Sequence, residues 1–81
     1  MFYIKHLRYL LEKAGADPRD FKSKQMLDDC IREVLEMEKA DAPVVWEKVK
    51  SILFDEKADP EKRKEFEEKV VKMMVKKLIV G

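Results

Sequence analysis

The chain has no threonine and no asparagine, one glutamine (Gln25) and two serines (Ser23 and Ser51). Scarcity of thermolabile amides beside abundant Lys and Glu is a compositional habit of hyperthermophile proteins. The five methionines and the free cysteine run mildly against it. Cys30 is the single cysteine, which excludes a disulfide within one subunit and a cysteine metal tetrad, and suits a reducing compartment. The only glycines are Gly15 and Gly81. Loops that cradle phosphates need several glycines so that backbone amides can approach the anion, so P-loop and dinucleotide fingerprints are excluded. His6 is the sole histidine, so no paired-histidine metal site can be built within one subunit.

Long apolar runs are also missing. None approaches the roughly 18 residues that span a bilayer. The N-terminal apolar stretch is interrupted by Lys5, His6 and Arg8, unlike the core of a signal peptide. These features predict a cytoplasmic protein with no transmembrane segment.

What is present is charge. Of the 81 residues 43% are charged, yet they sum to +1, so no long-range field draws nucleic acid or anionic membrane. A chain this short holds one core, and the expectation is a single all-α domain over residues 1–81. Such a core supplies only about 3–5 kcal/mol unless packing is unusually regular or subunits associate.

Three similar phrases divide the chain: Glu12-Lys13-Ala14-Gly15-Ala16-Asp17-Pro18, Glu38-Lys39-Ala40-Asp41-Ala42-Pro43 and Glu56-Lys57-Ala58-Asp59-Pro60. Each reads as one helix ending and another beginning. Asp accepts from free first-turn amides, Pro near the first helical position loses no bond, and Lys complements the negative end of the preceding helix. Apolar residues recur at helical spacing between the junctions: Ile4, Leu7 and Leu11; Leu27, Cys30, Ile31 and Val34; Val45, Val49, Ile52 and Leu53. The prediction is a compact bundle of about four helices over residues 2–14, 23–39, 42–54 and 60–79. The second start is ambiguous, because Asp17-Pro18 can open a turn containing Phe21, with Ser23 capping the helix, or one helix can run throughout.

The fourth segment changes character along its length. Its first half is charged, with Glu65/Lys69 and Glu68/Lys72 in the favourable i,i+4 order. In its second half Val70, Val71, Met73, Met74, Val75, Leu78, Ile79 and Val80 cover most of the circumference, beyond the stripe of roughly 100° that a rim helix needs. The surplus predicts a central position, a second subunit, or a short pairing of residues 78–80 with residues 2–4 as strands.

Chemical motifs fail on inspection. Asp55 and Asp59 fit the first and fifth positions of a calcium loop, but Lys57, Pro60 and Phe66 occupy positions that need a ligand, a glycine and a glutamate. Asp28, Asp29, Glu33 and Glu36 read as a solvated face interleaved with Arg32. Cys30 lies on an apolar face, the setting of an inert thiol of raised pKa. The triplet Lys62-Arg63-Lys64 is surrounded by glutamates that repel phosphate. As a recognition helix, the third segment would present Pro43, Val44, Val45 and Trp46 to base edges, which reads as core.

The expectation is therefore a non-enzymatic helical protein–protein interaction module, without cofactor or bound metal, that self-associates as a homodimer or binds another protein. Trp46, Val71, Met73, Met74, Val75 and Leu78 are the candidate contact residues, Trp as an interface anchor and Met as an adaptable surface. The alternatives are a small nucleic-acid-binding protein and a ligand or metal site formed across a dimer.

Overall fold

The computed structural model describes residues 2–80, with side chains described over residues 3–79. A 3₁₀ helix, Phe2–Leu7, runs directly into α1 (Arg8–Lys13), followed by α2 (Phe21–Leu35), α3 (Ala42–Leu53) and α4 (Pro60–Val80). The all-α class and the four predicted helical segments are present. The predicted first helix begins as 3₁₀, a winding frequent at helix N-termini. In a 3₁₀ helix residues three apart eclipse, which stacks Ile4 over Leu7 on a core-facing line that continues to Leu10, and sets Tyr3 and His6 on another.

α1 ends as its sequence indicates. Gly15 takes φ +79, its amide donates to the Glu12 carbonyl at 3.0 Å, and the Ala16 amide donates to the Leu11 carbonyl at 2.9 Å, a Schellman cap. Asp17 then accepts from the Arg19 amide at 2.9 Å, forming a turn of its own. α2 starts after it with Asp20 at the N-cap, whose carboxylate accepts from the Ser23 hydroxyl at 3.0 Å. Ser23 thus supports the cap from inside the first turn.

α2 stops at Leu35, four residues before the predicted end at 39. Glu36 adopts the left-handed conformation, φ 57, and the Met37 amide donates to the Arg32 carbonyl at 2.8 Å. Two contacts hold this turn. Met37 folds back against the core, and Arg32 reaches over the junction, its Nε on Asp28 at 3.1 Å and its Nη1 on the carbonyls of Glu38 and Ala40. At the last junction Asp59 is a true N-cap, accepting from the Glu61 amide at 2.9 Å with Pro60 as the first helical residue. Asp41 occupies the same position before α3, but its side chain makes no capping hydrogen bond there, contrary to the expectation from the sequence.

One core joins all elements. Tyr3, Ile4, Leu7, Leu10 and Leu11 meet Leu27, Cys30 and Ile31 of α2, Val45, Val49 and Leu53 of α3, and Phe66, Val70 and Met74 of α4. α4 touches α1, α2 and α3, most extensively α2, so it is the common wall of the bundle. The terminal strand pairing does not form: residues 78–80 continue α4 and residues 2–4 are 3₁₀, with no strand among the described residues. An unbroken helix satisfies its backbone internally, and Tyr3 and Ile4 are fully engaged in the core instead.

Candidate interaction surface

α4 places its side chains on three sides. Phe66, Val70 and Met74, at i,i+4 spacing, are enclosed by the other helices. Val71 and Met73 are half-buried at the edges of that line and pack against the core. The outer side carries Val71, Val75 and Ile79, again four apart, with Leu78 beside them. Ile79 is 78% exposed and Leu78 43% exposed, although both are large aliphatic residues. The apolar excess of the second half of α4 is therefore only partly absorbed by the fold: Leu78 and Ile79 face outward, with Val71 and Val75 half-buried beside them.

The charges around these residues are graded. Lys72 and Lys76 form the adjoining row and are exposed, while Lys77 on the inner side pairs with Glu33 of α2 at 3.1 Å. Toward the N-terminal half, Lys69 pairs with Glu65 at 2.9 Å. There a shallow groove opens between α1 and α4, lined by Lys13, Lys64, Glu67, Glu68, Val71 and Lys72. The Lys13 ammonium sits 5.6 Å from the centre of the Tyr9 ring. Burial, reinforced by the neighbouring Glu67 carboxylate, holds the Tyr9 phenol above its ordinary pKa, so it stays protonated at neutral pH.

A second exposed patch surrounds Trp46. Its indole stacks on His6 (5.2 Å between centroids, 11° between planes) and on Tyr3 (5.9 Å, 10°). Phe54 tilts against it at 6.0 Å and the Lys50 ammonium lies 5.6 Å from the ring centre. Eclipsing of Tyr3 and His6 brings both rings to one indole, so Trp46 anchors the 3₁₀ helix to α3. His6, Trp46, Lys50 and Phe54 leave a small concavity that shares no residue with the outer side of α4.

The six sequence-derived contact residues are thus dispersed. Val71, Val75 and Leu78 share the outer side of α4, Met73 is half-buried at the core edge, and Trp46 belongs to the other patch. Met74 needs correction: it is completely enclosed and offers no surface. Its place one step behind Val75 on the helix turns it about 100° toward the core. Ile79, the most exposed large apolar side chain described, was absent from that set although its spacing from Val71 and Val75 marks it.

Other candidate chemistry is engaged locally. Asp28 is tied to Arg32, Glu33 to Lys77, and among the described residues no three His, Cys, Asp or Glu side chains converge as a metal-ligand set. Cys30 is buried, and burial pushes its thiol up to about 11. No described helix is long and apolar enough to cross a membrane. No protein-family model, curated protein or solved structure matches the chain.

Proposed function

We propose that this protein is a non-enzymatic helical interaction module that self-associates through the outer side of α4. The carrying observation is that Leu78 and Ile79 are left exposed, with Val71 and Val75 half-buried beside them, by a fold that encloses the other face of the same helix. Two general considerations support a second copy as the occupant. A core of this size supplies modest stability alone, and association adds to it. With a net charge of +1, two copies meet without the repulsion that keeps strongly charged proteins apart.

Light scattering over a dilution series tests the reading. The expected result is a mass that rises with concentration from 9.6 kDa toward twice that value. A mass fixed at the monomer value throughout would contradict it.

A further inference from the structure

α2 and α3 both pack on α4 and much less on one another, and a groove of about 360 Å³ opens between the three helices. Its size lies at the small end of the range of about 300–1,000 Å³ found for small-ligand clefts. Val34 and Leu35 of α2 and Ile52 of α3 line it half-buried, and Phe66 of α4 lines it buried. The remaining lining residues are Lys48 of α3 and Lys62, Glu65 and Lys69 of α4, all exposed. Glu65 is the one acid among them, and Lys69 neutralises it at 2.9 Å. Lys48 and Lys62 make no ion pair among the described residues.

The stability of α4 does not account for Lys62. Pro60 is the first residue of α4, so Lys62 stands in its first turn, where the helix dipole favours an acid and opposes a cation. Glu61 suits that turn and Lys62 does not. A cation there costs the helix some stability and adds to the positive potential at the rim of the groove. An apolar lining from three helices is thus combined with two ammonium groups that no carboxylate of the fold engages.

We propose that this groove binds a single-chain amphiphile with an anionic head, a fatty carboxylate. The alkyl chain covers Val34, Leu35, Ile52 and Phe66, and Lys48 and Lys62 hold the head. The charge of the rim selects an anion, because a neutral or cationic ligand leaves both ammonium groups unanswered. The lining side chains are aliphatic, aromatic, ammonium and carboxylate only, with no hydroxyl or amide to recognise a sugar or a base. A protein partner is too large for it: a stable interface takes roughly 20–30 residues a side, and eight line this groove. The groove shares no residue with the outer side of α4, so the proposal stands apart from self-association.

Isothermal titration calorimetry with decanoate, held below the concentration at which it forms micelles, tests the site. Binding is saturable, with one ligand per chain, and tightens roughly two- to fourfold for each methylene added from hexanoate through octanoate to decanoate. Decyltrimethylammonium, which keeps the chain and reverses the charge of the head, does not bind. Lys48→Glu combined with Lys62→Glu weakens decanoate binding roughly tenfold or more. Lys13→Glu combined with Lys72→Glu, in the groove beside α1, leaves it unchanged. Thermal melts of both variants stay near wild type, because all four positions are exposed. No saturable uptake of decanoate, equal affinity for the cationic amphiphile, or a Lys48 and Lys62 double variant that binds as tightly as wild type would each overturn the assignment. Uptake of an acidic amphipathic peptide in place of decanoate would also overturn it, by giving the groove to a protein.

Discussion

Two residues end their helices in the same left-handed conformation, but only one is glycine. Gly15 and Glu36 follow α1 and α2 at φ 79 and φ 57 and make the same pair of capping hydrogen bonds. A side chain in this region is strained by its own backbone, and glycine is not. Nothing lies within 4 Å of a Cβ built on Gly15, so a substitution there meets conformational strain alone. Gly15→Ala is expected to lose about 1 kcal/mol and Glu36→Gly to gain about 0.5–1 kcal/mol in urea unfolding. Shifts of the same sign in both variants would contradict the shared cap. Cys30 gives a second prediction, in pH. Burial pushes its thiol up from the ordinary value of 9.0 to about 11, so the unfolded chain loses this proton first. The contribution of Cys30 is full below pH 9 and is lost as pH rises toward 11. Urea midpoints should decline over that interval, and less so in Cys30→Ala. An identical decline in the variant would assign the effect elsewhere.

At the scale of the elements, boundaries are legible where capping chemistry is local. Asp59-Pro60 marks the start of α4, and Gly15 marks the end of α1, because each residue makes its bond within its own turn. The end of α2 is not legible. No glycine signals it, and the turn is held by Met37 packing back and by Arg32 spanning from Asp28 to the carbonyls of Glu38 and Ala40. Nor does periodicity show that the first turns wind as 3₁₀, since Ile4 and Leu7, three apart, satisfy either reading. α4 shows the same limit at the candidate site. Its apolar excess is evident from the sequence, but with Met73, Met74 and Val75 adjacent, only packing against α1, α2 and α3 decides which one turns inward. Met74→Ala should destabilise the monomer by about 2–5 kcal/mol, as for an enclosed core side chain. Val75→Ser should leave monomer stability within about 1 kcal/mol and weaken association instead. Chemical denaturation and analytical ultracentrifugation separate the two effects. Equal loss of stability in both would mean that Val75 belongs to the core.

For the molecule as a whole, small size limits the core to what one layer of helices encloses. One helix serves as the inner wall of the bundle and, on its opposite side, presents Leu78 and Ile79 to the surface with Lys72 and Lys76 nearby. A chain with a net charge of +1 has no strong net field to oppose contact. The Trp46 patch has a different task within the fold, joining the 3₁₀ helix to α3 through stacked rings. The central claim is that the outer side of α4 is a contact between copies. Sedimentation equilibrium of the wild-type chain beside Val75→Asp tests it most directly. The account predicts a reversible dimer for the wild type and a folded monomer for the variant at the same concentrations. A wild-type chain that remains at 9.6 kDa, or a variant that dimerises equally well, would contradict it.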